Sequence, residues 1–271
     1  MVLAGTLAAL TLVGCTSGRP APPAPRTAPA TRPAARPAAA PAFPAAEERT
    51  RHGDPSWSVV RVGAQHDVEG YADRDSVLPG QPVRLFVSTI ARHVRVRAYR
   101  MGWYAGARAR LVWQSAPVQP GLQPAARITG PTHTPSAPWR PTLTVPTTGW
   151  PAGDYLLRLD TDRGPLRRFV PLTVRTAANR GAVVLVNADT TWQAYNAWGG
   201  YSLYHGPDGT RADRSRAVTF DRPYDYGAGT ADFLGAELPL VALAEKLGLR
   251  LGYAPTSTCS ATPACSPARP R

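Results

Sequence analysis

The rhythm of apolar and polar positions changes three times along the chain. Residues 2–14, VLAGTLAALTLVG, are apolar or small almost without interruption and run into Cys15. Between 57 and 175 the rhythm is short alternation bounded by turn signals. The segments are WSVVRV (57–62), PVRLFVST (82–89), VRVRAYRM (94–101), RLVWQS (110–115), TLTVP (142–146), YLLRLDT (155–161) and RFVPLTV (168–174). Alternation with period two places successive side chains on opposite faces of a strand. In 94–101 it reads Val94, Val96, Ala98 and Met101 to one face and Arg95, Arg97 and Tyr99 to the other. Pro79-Gly80, Gly121 and Pro151-Ala152-Gly153 punctuate the run. Short strands at this spacing predict an immunoglobulin-like β-sandwich over 57–175.

At Arg180-Gly181 the pattern changes again. Ala182–Val186 is a continuous apolar run, as a strand buried on both faces requires. Ala231–Leu247 has helical spacing, with Pro239 as a candidate kink and Gly248 as a stop. Leu249–Tyr253 then reads as a second strand. One β-loop-α-β unit over 176–253 is too short to cover both faces of a parallel sheet, so the reading is a mixed fold: the sandwich, then an incomplete α/β domain. Residues 254–271, rich in Pro, Ser and Thr, follow no period. Cys259 and Cys265 leave a small-loop disulfide open. The abrupt change of composition favours a tail foreign to the fold, as a frameshift or truncation would leave.

Composition adds a destination. A 13-residue apolar stretch suits a signal-peptide core and is too short to span a bilayer. Leu12-Val13-Gly14-Cys15 resembles a bacterial lipobox, which makes Cys15 the lipidation candidate. Residues 19–44 hold 9 prolines and 10 alanines in 26 positions. Such a stretch buries little and favours extended conformations, so 16–56 reads as a disordered Pro/Ala-rich linker lifting a domain off the membrane. The expectation is an exported lipoprotein held on the outer face of the cell membrane. The net charge of +13 does not point to nucleic acid. Residues 57–175 carry 16 basic and 7 acidic groups, residues 176–249 carry 6 and 8, and no basic run exceeds Arg167-Arg168. Walker A, dinucleotide-binding, HExxH and GxSxG signatures are absent from the sequence.

Chemistry concentrates in the stretch after Val186. Tyr-Arg-Met-Gly-Trp-Tyr at 99–104, Trp-Gln-Ala-Tyr-Asn-Ala-Trp-Gly-Gly at 192–200, Ser-Leu-Tyr at 202–204 and Phe-Asp-Arg-Pro-Tyr at 220–224 together resemble the N,N-dimethylformamidase large (beta) subunit family, especially its exported actinobacterial relatives. The resemblance implies a sandwich-like domain followed by a glutamine-amidotransferase-like α/β domain. It also implies iron-dependent hydrolysis of a small amide, with a ferric ion held by two tyrosinates and a glutamate. Tyr195 and Tyr204 stand at the two tyrosine positions. The glutamate belongs to a later motif that this sequence does not contain, so the expectation is an incomplete, inactive site.

On residue types alone other readings stay open. Tyr195 and Tyr204 could pack against the first strand and the helix. Asn187 and Asp189 lie where α/β proteins bind ligands, and equally where caps and turns form. His205 is a candidate ligand or base. Trp113, Trp139 and Trp150 fill a core or, in the alternative function, present a glycan- or wall-polymer-binding surface.

Overall fold

The computed structural model describes residues 43–58, 62–164 and 166–259, all within one compact unit spanning Ala40–Arg271. Cys15, the signal segment and the linker up to residue 42 lie outside the described residues, as does Cys265. The fold is mixed and β-rich. A short helix, α1 (Ala45–Glu48), leads into β1 (Val68–Ala72), β2 (Ser76–Val77), β3 (Val83–Thr89), β4 (Val94–Met101) and β5 (Ala109–Gln114). Then come β6 (Arg127–Thr129), β7 (Thr134–Ser136), β8 (Leu143–Val145), β9 (Gly153–Thr161) and β10 (Arg167–Val174). The remainder is β11 (Val183–Asn187), α2 (Asp189–Tyr195), α3 (Glu237–Lys246), β12 (Leu251–Pro255) and α4 (Thr256–Cys259).

Two sheets, ordered β1-β3-β8 and β2-β10-β9-β4-β5, share one apolar core. Val68, Val83, Leu85 and Val87 come from the smaller sheet, and Val94, Val96, Leu157, Leu159 and Val170 from the larger. A separate parallel pair, β11-β12, aligns Leu185 with Tyr253.

Several elements differ from the sequence reading, each for a physical reason. WSVVRV does not form a strand over its described part; Pro55–Trp57 make a 3₁₀ turn instead, capped by Asp54. The strand there is β1, whose VEGYA sequence does not alternate because all five residues are buried. One face of β1 packs in the core, while Tyr71 joins Trp139 and Trp198 in a second cluster. In β4 a register shift at Ala98/Tyr99 accompanies a change of neighbours: Ala98 stays in the inter-sheet core, while Met101 joins Tyr99 on the opposite face. The expected linker is structured from Phe43 onward among the described residues. Ala45 and Glu48 are buried, because Glu48 accepts from Arg110 Nε and Nη2 (both 2.9 Å) and Tyr104 Oη (2.6 Å). The helix begins at Glu237, not Ala231. Pro239 then falls in its first turn, where the missing N–H breaks no intrahelical bond. Gly248, at φ +72°, ends it, and Leu249 N–H closes back on Ala244 O at 3.2 Å. At the far end, β12 runs to Pro255 and α4 follows, so order reaches Cys259 inside the expected tail.

The outer face of the larger sheet is not free. Tyr99, Met101, Leu156 and Phe169 pack against Trp192, Phe233 and Leu238. At the same junction Arg100 and Glu245, both fully buried, form an ion pair at 2.8 Å between β4 and α3. Glu245 also accepts from Trp103 N–H (3.0 Å) and Tyr253 Oη (2.8 Å). Arg100 further donates to Ala152 O and Tyr104 Oη. Gly102 is required here, since a Cβ at that position would lie 2.0 Å from Glu245 Oε2. The Tyr-Arg-Met-Gly-Trp-Tyr segment is therefore the joint between the β-rich part and the α/β unit.

Removing one partner of a buried pair strands the other charge, which costs about 3–5 kcal/mol. Glu245→Ala should lower the unfolding free energy obtained from urea melts by that amount. Leu243→Ala, on the exposed face of α3, should change stability by less than about 1 kcal/mol.

Candidate functional site

Helix α2 begins with Asp189 in its first turn, where a carboxylate suits the helix dipole. It ends at Tyr195, because Asn196 turns extended and its amide is fully committed. Asn196 Nδ2 donates to Pro223 O (2.9 Å) and Gln193 Oε1 (3.1 Å), while its Oδ1 accepts from Trp198 N–H and Asp225 N–H. Arg222, 1% exposed, fastens the same loop. Its guanidinium donates to Gln193 Oε1, Gln193 O, Trp198 O and Tyr201 O at 3.0–3.1 Å. Burial among neutral acceptors pulls its pKa down to about 10. Ser202 completes the scaffold: its Oγ accepts from Tyr204 N–H (3.1 Å) and His205 N–H (3.2 Å), and Leu203 N–H donates to Ala194 O.

This scaffold brings the two tyrosine candidates together. The rings of Tyr195 and Tyr204 stack with centroids 4.3 Å apart and planes 22° from parallel. Both are exposed, so they do not serve as packing for the first strand and the helix. The neighbouring Tyr204 hydroxyl raises the Tyr195 pKa above the ordinary phenol value, and the charge of Asp232 adds to it. The pair therefore presents two adjacent phenols on the surface, held by a buried polar frame that residue types alone did not reveal. The sequence marked the Phe-Asp-Arg-Pro-Tyr segment through its resemblance and not the role of its arginine.

The other candidates separate. His205 lines a cleft of about 720 Å³ with His66, Glu69, Trp139 and Trp198. There Glu69, buried in β1, accepts from Trp198 Nε1 (2.9 Å) and pairs with His66 Nδ1 (3.0 Å). Asn187 and Asp189 sit at the C-terminal end of β11 and point inward. Asn187 Nδ2 donates to Asp154 Oδ1 (2.6 Å) and Thr173 Oγ1 (2.9 Å), and Asp189 Oδ1 accepts from Ser257 N–H (3.1 Å). Trp139, Trp150, Trp192 and Trp198 are buried, and Trp113 is partly buried against the core, so these rings form no exposed stacking platform. Among the described residues, no group of three His, Cys, Asp or Glu side chains is arranged to hold a metal ion.

Asp154 carries a testable electrostatic signature. Burial raises its pKa from 3.8 to about 6, against the opposing hydrogen bonds from Asn187 and Thr173. A carboxyl whose folded pKa exceeds its unfolded one holds its proton more tightly when folded. Its stabilising contribution is full below about pH 4 and is lost as pH rises through about 6, on the order of 3 kcal/mol. Asp154→Asn should remove that part of the slope in urea melts between pH 4 and pH 7.

A search of curated proteins returned no match. The sequence model described as N,N-dimethylformamidase beta subunit-like, C-terminal, matches residues 95–267, a span that begins in β4 and takes in the Arg100–Glu245 joint, Tyr195, Tyr204 and Arg222. Covering more than half of the chain, that match makes this protein a member of the N,N-dimethylformamidase beta subunit-like C-terminal family.

Proposed function

We propose that the chain belongs to a lipid-tethered, exported amide hydrolase and that Tyr195 and Tyr204 are two of its iron ligands. The observation that carries this reading is the stacked pair of exposed phenols inside the span matched by the family. Two phenolates are hard anionic donors suited to a ferric ion. The residues that face them fit a two-donor clamp and not a complete three-donor site. Asp232 influences Tyr195 through its charge. A bound ferric ion would supply Lewis acidity toward a small amide carbonyl and acidify a coordinated water. The chain's own part is to hold the two hydroxyls adjacent, through Arg222, Asn196 and Ser202.

The finer fold reading goes with it: an immunoglobulin-like sandwich followed by the beginning of an amidotransferase-like α/β domain. The shared core of the two sheets and the parallel β11-β12 pair support it. The alternative, a glycan- or wall-polymer-binding module, loses its basis with the burial of its tryptophans.

Ferric titration should produce a visible tyrosinate-to-iron charge-transfer band, and Tyr195→Phe should abolish or strongly weaken it. A full band in the variant would overturn the assignment. Formamide turnover, followed as released formate, should stay at the level of the uncatalysed reaction if the two phenols are the only anionic donors. At the other end of the chain, labelled palmitate should enter the wild type and not Cys15→Ser; equal labelling would sink the lipid tether.

A further inference from the structure

A second pocket, independent of the tyrosine pair, lies where the β1–β2 turn and β9 meet β11 and α2. Asp75, Asp154 and Asp189 line it together with Trp192, Phe220 and Tyr224. Two of the carboxylates are almost wholly buried, Asp154 and Asp189 at 2% exposure each. Each accepts through one oxygen; burial and the adjoining Asp189 carboxyl raise the Asp75 pKa, so Asp75 and Asp189, crowded together, resist being charged at once. Asp154 Oδ1 takes the Asn187 and Thr173 donors and Asp189 Oδ1 takes Ser257 N–H, while both Oδ2 atoms have no donor among the described residues. Asp75, half-buried beside them, accepts from Ser76 Oγ (3.1 Å) and from Ser257 Oγ.

Among the described residues, none of the three aspartates has a Lys, Arg or His nitrogen within 4 Å. Arg222 lines the pocket but spends its guanidinium on Gln193, Trp198 and Tyr201. Arg74 stands exposed at the rim, and its recorded acidic neighbour is Asp73 at 4.0 Å. An unpaired buried carboxylate is costly, so an occupant bringing N–H donors and positive charge is favoured. The walls narrow its class. Hard metal ions want six or more oxygen ligands, and among the described residues no group of three His, Cys, Asp or Glu side chains is arranged to hold one, whereas six aromatic rings line the pocket, a surface that attracts organic cations. Size narrows it further. The cavity of about 40 Å³ holds roughly three waters at 10–15 Å³ each, or an ion of two or three heavy atoms.

We propose that this pocket binds a small alkylammonium ion, of the size of methylammonium or dimethylammonium, whose N–H groups supply the donors that Asp154 and Asp189 lack. The proposal does not depend on iron or on amide hydrolysis.

The test is thermal unfolding of the full chain at pH 8, titrated with methylammonium, dimethylammonium, tetramethylammonium and sodium chlorides at matched ionic strength. A ligand that binds only the folded state raises Tm by mass action. The expected result is a saturable rise of several degrees with methylammonium or dimethylammonium. Sodium should give none beyond the ionic-strength baseline, and neither should the bulkier tetramethylammonium. Asp189→Asn and Asp154→Asn should each shift the half-saturating concentration upward at least tenfold; using both variants keeps the test open if one does not fold. Equal shifts in all four salts, no saturable shift in any, or an unchanged midpoint in a folded variant would each overturn the proposal.

Discussion

A fully buried arginine–glutamate pair holds the two halves of this structure in register. Arg100 ends the regular part of β4, and Glu245 sits on the inner face of α3. Neither charge is tolerable alone in a dry interior, so the α/β unit can dock on the sheet in one position only. The pair is also well satisfied. Glu245 receives donors from Trp103 and Tyr253 as well as Arg100, and Arg100 reaches Ala152 and Tyr104. Through Tyr104 the network extends to Glu48 and Arg110, which fastens the N-terminal helix to the same point. Gly102 leaves space for one carboxylate oxygen, and Gly153 leaves it for the guanidinium, 2.7 Å from where its Cβ would stand.

That joint explains why the tyrosine loop is rigid enough to matter. Trp192, one turn before Tyr195, is buried against Phe233 and Tyr224 on the outer face of the larger sheet. The docked sheet fixes α2, and α2 fixes Tyr195. From the other side, Arg222 and Ser202 fold the loop back so that Tyr204 stacks on Tyr195. The two phenols are exposed while nearly every group that places them is buried. A surface pair of this kind is adaptable at its hydroxyls and constrained at its backbone, as the proposed role of Tyr195 and Tyr204 requires.

Alternation was legible where one face meets the core and the other is exposed or carries arginines, as with Arg84 between Val83 and Leu85 in β3 and with Arg95 and Arg97 between the buried positions of β4; β9 and β10 are largely buried on both faces. β1 escaped notice because it is buried on both faces, which erases period two, and because its glutamate is satisfied by a tryptophan no pattern could place beside it. The helix start was misread because apolar spacing continues through 231–236, where the chain makes turns that carry Ala231 and Phe233 into the core. Proline decided the boundary, since Pro239 is harmless only within a first turn. For the site, residue types gave Tyr195 and Tyr204 no preference over packing, and the motif resemblance supplied it. What sequence could not supply was Arg222 as the clasp, because its four acceptors include three backbone carbonyls.

The acidic pocket follows from the same topology by a different route. Parallel strands end together, and at the C-terminal end of β11 the chain turns into α2 with Asn187 and Asp189 facing inward. In this fold that end abuts the larger sheet, so the turn meets Asp75 and Asp154 across a shared cavity. Ser257, just past β12, touches both Asp75 and Asp189, which ties the second parallel strand into the same group. Arg100 lies near enough to Asp154 to lower its pKa, yet Arg100 is already neutralised by Glu245, whose own charge acts the other way. The cation that holds the joint together is therefore not available to the pocket beside it. The carboxylates there carry a demand that the arginines among the described residues leave unmet.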